Sequence, residues 1–185
     1  MFDNIYKNKT VLVTGHTGFK GSWLAIWLNE LGANVIGYSL DPKTKNDNYV
    51  VCNLRDRVKY INGDLLDYSK LLSIFEKYNP EFVFHLAAQA LVLDSYNDPR
   101  NTYGVNVMGT VNVLEAIRET NSVVSAVMIT SDKCYENKEW IYGYRENDRL
   151  GGKDPYSASK SACEIIIQSY IESFFMKDGT ANIAS

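Results

Sequence analysis

Thr10-Val-Leu-Val-Thr14-Gly15-His-Thr-Gly18-Phe-Lys-Gly21 is the stretch on which the fold turns. Residues 10–14 form a short apolar run rich in β-branched side chains, and Gly15 ends it. That composition is the mark of a strand buried on both faces. Residues 19–31 then place Phe19, Trp23, Leu24, Ile26, Trp27, Leu28 and Leu31 at helical spacing, with Gly32 as the stop. The spacing between strand and helix is G-x-x-G-x-x-G. Glycine at such a turn lets the chain reverse and lets an anion approach the backbone. The first turn of the helix adds unpaired N–H groups and a partial positive charge. Residues 15–21 (Gly15, His16, Thr17, Gly18, Phe19, Lys20, Gly21) are therefore expected to cradle a pyrophosphate, the alternative being an ordinary glycine turn without a ligand.

Outward from this turn, strand and helix alternate. Further strands are expected at 34–40, 58–61, 82–86 and 125–130, and helices at 69–78, 99–119 and 155–176. Short connections between alternating elements imply a doubly wound parallel α/β sheet, a Rossmann fold, in one domain covering 1–185. Residues 133–154 are polar and aromatic without a period, which reads as a long functional loop. Residues 181–185 look like a sixth strand that starts as the sequence stops. Such an ending suggests a truncated protein.

Composition agrees with such a domain. The 185 residues carry 19 Lys+Arg against 22 Asp+Glu, with 45% hydrophobic and 22% charged residues, so disorder is excluded. A net charge of −3 without basic clusters gives no field for nucleic acid. No window reaches the roughly 18 apolar residues of a membrane span, and residues 1–10 lack a signal-peptide core, so the cytoplasm is expected. Cys52, Cys134 and Cys163 are scattered and only two histidines occur, which speaks against a disulfide framework and against a metal site.

Several residues at the expected carboxyl edge of the sheet are candidates for the cofactor. An acidic residue closing the second strand would bind a ribose 2′-hydroxyl. Asp41 is the candidate, although Ser39 could hold that register and Asp41-Pro42 could be a turn. No Arg adjoins it, though Lys43 and Lys45 do, so the choice of NAD or NADP stays open. Asp64-Leu65 follows the third strand, as adenine partner or as turn cap. Ala87-Ala88-Gln89 follows the fourth, where small residues let a cofactor cross the strand ends.

Tyr156 and Lys160 stand at i and i+4, on one helix face. An ammonium beside a phenol favours the phenolate, making tyrosine a usable base. The spacing alone is common in a chain with 13 Tyr. Its weight comes from opening a helix after a strand that ends Thr130-Ser131-Asp132-Lys133, which adds a hydroxyl, a carboxylate and an ammonium.

Taken together, Gly15/Gly18/Gly21, His-Leu-Ala-Ala at 85–88, Asn-Val-Met-Gly-Thr at 106–110 and Tyr156…Lys160 resemble the extended short-chain dehydrogenase/reductase superfamily. Residues 15–23, 95–99, 130–137, 143–148 and 150–157 resemble, within it, the CDP-glucose 4,6-dehydratases. The resemblance implies NAD as cofactor and CDP-glucose as substrate. It implies Tyr156 as the base at the C4 hydroxyl, Lys160 on the cofactor ribose, Ser131 on the C4 oxygen, and Asp132 as the acid for the departing C6 hydroxyl. Lys133 falls where related dehydratases carry a glutamate base for the C5 proton. It also implies the Phe19 and Lys20 backbone around the pyrophosphate, a C-terminal substrate lobe that is absent here and without which the chain is inactive, and a homodimer through the helices at 99–119 and 155–176. Two other readings remain: a nucleotide-sugar 4-epimerase, which needs no acid at 132, and a non-catalytic dinucleotide-binding module. His85 is read as a satisfied core residue, His16 in part as a polar loop filler, and Cys134 and Cys163 as small core hydrophobes.

Overall fold

The structure is a computed structural model that describes residues 2–177 and 180–185. Its centre is a parallel sheet of six strands in the order β3-β2-β1-β4-β5-β6. The strands are β1 (Thr10–Thr14), β2 (Asn34–Ser39), β3 (Lys59–Asn62), β4 (Phe82–His85), β5 (Ser125–Met128) and β6 (Asn182–Ala184). The chain leaves β1, fills one side of the sheet, then crosses to the other with β4. The crevice between the carboxyl ends of β1 and β4 is the position where open α/β sheets take ligands.

β1 shows why an unbroken apolar run was needed. Val11 and Val13 face one apolar cluster and Leu12 faces the other, all with no exposed surface. Helices α1 (Phe19–Glu30) and α2 (Asn48–Val51) cover the first face. Helices α3 (Tyr68–Tyr78), α6 (Gly109–Thr120) and α7 (Pro155–Tyr170) cover the second. Two short helices, α4 (Val92–Asn97) and α5 (Pro99–Tyr103), stand above the end of β4. Capping explains where three of the helices begin. Asp67, Asp98 and Asp154 accept from the backbone N–H three residues on, at the starts of α3, α5 and α7. Pro99 and Pro155 occupy first-turn positions that need no N–H donor.

The doubly wound sheet and the six strands agree with the sequence. The expected helix at 99–119 is a relay of α5, a π-helical turn at Gly104–Met108, and α6. The helix at 155–176 ends likewise in a π turn at Ile171–Phe175. Helices α2 and α4 were not expected, being too short to show a period. The loop at 133–154 is irregular apart from a 3₁₀ turn at Asp132–Cys134, and a Tyr135–Leu150 bridge closes it.

Helical spacing does not send every apolar residue of α1 inward. Its large aromatics do not face the core: Phe19 is 76% exposed, Trp23 55% and Trp27 50%. The buried line is Gly21, Ser22, Ala25 and Leu28. The reason is proximity. A Cβ on Gly21 would stand 2.2 Å from the Gly15 carbonyl oxygen, so only small side chains fit where α1 meets the turn beneath it.

Candidate active site

Gly15 anchors the turn. Its φ of +72° is left-handed, and a Cβ there would lie 2.7 Å from the Ala87 backbone nitrogen. The turn is thus pressed against the exit of β4. Its amide donates to the Tyr38 carbonyl (2.9 Å), and its carbonyl accepts from the Gly18 N–H (3.0 Å). Gly18 caps α1 without any side-chain hydrogen bond. The first N–H groups of α1 therefore face an open glycine surface, which suits an anionic diphosphate.

Several expected cofactor residues turn their side chains inward. The His16 ring is fully buried, with Nδ1 3.0 Å from Ser39 Oγ, and it fills the space above Gly37. Only its backbone faces the turn. Burial lowers its pKa to about 4. The Thr17 hydroxyl donates to the Leu40 carbonyl (3.0 Å). β2 ends at Ser39, so Asp41 lies two residues beyond the strand, where it accepts from the Tyr60 hydroxyl. The Asp64 carboxylate caps its own turn through the Leu66 N–H (3.0 Å), while its carbonyl accepts from the Tyr38 hydroxyl (2.7 Å). Leu65 is buried beneath Gly109. The Gln89 side chain closes a local turn with Leu91 and donates to Thr102 (3.0 Å). Ala87 and Ala88 keep the strand end low beside Gly15.

A directed hydrogen-bond chain joins the halves of the crevice from below. The Thr110 hydroxyl donates to the Asn106 carbonyl (2.7 Å), so its oxygen accepts from His85 Nε2 (3.2 Å). That fixes the proton of the neutral ring on Nε2 and leaves Nδ1 to accept from Thr14 Oγ1 (2.8 Å). Thr14 Oγ1 in turn accepts from the Ala87 N–H (3.2 Å). Burial, with the Lys160 charge as a smaller cause, lowers the His85 pKa to about 3.

Asn106, in the π turn, carries the connection to α7. It exchanges hydrogen bonds with the Gln89 backbone (2.8 and 3.0 Å) and donates to Ser159 Oγ (2.8 Å). Ser159 lies between Tyr156 and Lys160 and donates to the Tyr156 carbonyl (2.6 Å). Asn106 was not named as a site residue from sequence. Its motif was visible, but the π turn that aims it inward was not.

On α7, Lys160 is 6% exposed and donates to the Ile129 carbonyl (3.1 Å), just past the end of β5. Burial pulls its pKa down, Cys163 and Glu164 partly offset this, and the Lys20 charge lowers it further. The Ser161 hydroxyl donates to the Cys134 carbonyl (2.6 Å), which ties α7 to the Asp132–Cys134 turn. In that turn Ser131 Oγ donates to Asp132 (3.1 Å) and accepts from the Lys133 N–H (3.2 Å). Lys133 is exposed and its charge is felt at Asp154, the cap of α7. Glu164, one turn after Lys160, binds Thr130 and Ser185. The chain thus gathers Ser131, Asp132, Lys133 and Lys160 around the exit of β5. Cys134 and Cys163 are buried, and burial raises both thiol pKa values. Among the described residues, no group of His, Cys, Asp and Glu could hold a metal ion, and no helix is long and apolar enough to cross a membrane.

Comparison with known proteins gives the same architecture a lineage. The family model described as GDP-mannose 4,6 dehydratase matches residues 12–183. The CDP-glucose 4,6-dehydratase of Salmonella typhimurium is 49% identical over 93% of the chain, which covers 48% of that protein. The CDP-paratose 2-epimerase of Salmonella typhi is 29% identical over 89% of the chain and 53% of its own length. Among solved structures, the UDP-glucose 4-epimerase of Brucella ovis, in complex with NAD, superposes with a TM-score of 0.79 at 29% identity. It matches 95% of this chain and 50% of that one. The Thermotoga maritima UDP-glucose 4-epimerase gives 0.79 at 26% identity, over 90% and 52%. The chain spans about half the length of the curated relatives it matches. Glycine turn, π-turn asparagine and Tyr156–Lys160 helix on one parallel sheet, with these matches along nearly the whole sequence, make the chain a member of the GDP-mannose 4,6 dehydratase family of extended short-chain dehydrogenases/reductases.

Proposed function

We propose that residues 1–185 are the dinucleotide-binding domain of an NAD-dependent lyase that converts CDP-glucose to CDP-4-keto-6-deoxyglucose. The observation that carries the reading is Lys160. A lysine buried to this degree is costly unless its charge is used, and its ammonium sits at the exit of β5, one helical turn from Tyr156.

Residues 15–21 would hold the diphosphate of NAD, with Ala87 and Ala88 beneath it and Asp41, Asp64 and Leu65 toward the adenosine end. When bound, NAD supplies a nicotinamide that takes a hydride from the sugar and later returns it. The protein supplies the proton chemistry. Tyr156 removes the C4 hydroxyl proton, and Lys160 lowers the cost of the phenolate. Ser131 donates to the C4 oxygen as it becomes a ketone, exchanging its present acceptor Asp132 for the substrate. The ketone acidifies the C5 proton, and Lys133, which follows Asp132, takes that proton as the neutral amine and becomes the ammonium. Asp132 protonates the leaving C6 hydroxyl. An epimerase would need no acid here, and the 49% identity to a 4,6-dehydratase favours elimination over epimerisation.

A homodimer through α5–α6 and α7 belongs to the same proposal. Tyr103, Met108 and Ile165 on these helices are exposed apolar side chains, suited to an interface. A cytoplasmic location belongs to the same proposal.

The test is Tyr156→Phe in a form extended to the length of the relatives. Turnover is expected to fall by about 10²-fold or more, with NAD⁺ affinity measured by calorimetry nearly unchanged. Turnover equal to that of the parent would remove the phenol from the mechanism.

A further inference from the structure

Asp41, the ribose candidate beyond the end of β2, has a partner in Tyr60 that neither the motif nor the family match assigns. The terminal residue of β2, Ser39, presents a hydroxyl bonded to buried His16 rather than a carboxylate. Two consecutive residues of the glycine turn, His16 and Thr17, are bonded to two consecutive residues leaving β2, Ser39 and Leu40. The next residue along that seam is Asp41.

Asp41 is exposed, yet it is not free. The Tyr60 hydroxyl, on β3, donates to its Oδ1, and Asn62 Nδ2 donates to the Tyr60 oxygen (3.1 Å). The Tyr60 ring is fixed in turn. It packs on His16 (centroids 5.4 Å) and Tyr49 (5.9 Å), and the Arg55 guanidinium lies 5.6 Å from its centre. Asp41 Oδ2 makes no hydrogen bond among the described residues. A carboxylate held by one oxygen beside the diphosphate turn has its other oxygen available to a ribose hydroxyl, and its charge opposes a phosphate at that hydroxyl. The fold does bring an arginine near. However, the cavity of about 390 Å³ that Arg55 shares with Asp41 also contains Asp56, so carboxylates outnumber the cation.

We propose that Tyr60 is a positioning residue that holds Asp41 to accept the adenosine ribose 2′-hydroxyl, and that this pair makes the chain select NAD⁺ over NADP⁺. The proposal rests on reading residues 15–21 as the dinucleotide cradle and adds where selectivity is built.

The experiment is calorimetric titration of the 185-residue chain with NAD⁺ and, separately, NADP⁺. The parent is expected to bind NADP⁺ about tenfold or more weakly. Tyr60→Phe removes only the hydroxyl. It is expected to weaken NAD⁺ about 3- to 10-fold and to leave NADP⁺ unchanged or tighter, so the affinity ratio falls. Asp41→Asn should lower the ratio at least as far, and the double variant no further, because Tyr60 acts only through Asp41. Asp41 is exposed, so its variant keeps the test valid even where Tyr60→Phe folds poorly. Equal weakening of both cofactors by Tyr60→Phe, or an unchanged ratio in Asp41→Asn, overturns the proposal. Binding of neither cofactor to the parent removes the cradle reading itself, and the selectivity device with it.

Discussion

The glycines of the turn differ in what they do. Gly15 and Gly21 are needed by the fold: one is left-handed and touches Ala87, the other leaves no room between α1 and the Gly15 carbonyl. Gly18 has an ordinary extended conformation (φ −74°, ψ 170°), and a Cβ there would stand 3.3 Å from the Gly15 carbonyl oxygen. Gly15→Ala is therefore expected to cost about 2–5 kcal/mol in a denaturant melt. Gly18→Ala should cost less than about 1 kcal/mol. Its methyl would nevertheless stand where a diphosphate meets the helix, so calorimetry should show NAD⁺ binding weakened about tenfold or more. Equal stability losses at the two positions would refute this division.

Among the elements, α7 carries Tyr156 and Lys160, the residues proposed for the proton chemistry, and its start depends on Asp154. That carboxylate accepts from the Ser157 N–H (2.9 Å) and hydroxyl (2.6 Å). Burial pushes its pKa up, but the Ser157 hydrogen bonds outweigh that and hold it below the usual carboxylate value. Asp154→Ala is expected to cost about 1–2 kcal/mol in urea denaturation at pH 7. Because the folded pKa is depressed, the cap contributes fully above the unfolded value and is lost as pH falls through the folded one. The penalty of the variant should accordingly vanish in strong acid.

This element also shows how far sequence could see. Strand-turn-helix at 10–21 and the Tyr156–Lys160 helix carry local signals, namely β-branched runs, glycine spacing and an Asp-Pro start, so their placement was legible. The inward turn of His16 and the aromatic face of α1 were not. Both are set by which residues another element crowds: Gly37 leaves a hole for an imidazole, and Gly21 forces Trp23 and Trp27 outward. The Tyr60–Asp41 contact spans two strands, and no local spacing encodes it. The same holds for Asn106, whose direction comes from a π turn.

Across the whole molecule, two neutral histidines lie inside the sheet layers. His16 titrates at about 4 and His85 at about 3, each lowered by burial. In the unfolded chain both would titrate near 6.5. Between that pH and the folded values the unfolded state binds more protons, so stability falls as pH falls. The slope should approach about 1.4 kcal/mol per pH unit for each histidine. Urea melts between pH 7 and pH 5 should show this decline, and a flat profile would contradict buried neutral rings. His85 matters twice, since its hydrogen bonds link Thr14 beside the glycine turn to the π turn that holds α7.

On the proposed reading, these parts serve elimination of water from a nucleotide-bound glucose. The most direct measurement is the product mass after a form extended to the relatives' length is incubated with NAD⁺ and CDP-glucose. A product lighter than its substrate by one water, with no net consumption of NAD⁺, is the expected result. A product of unchanged mass with an inverted sugar hydroxyl would contradict the claim and make the chain part of an epimerase.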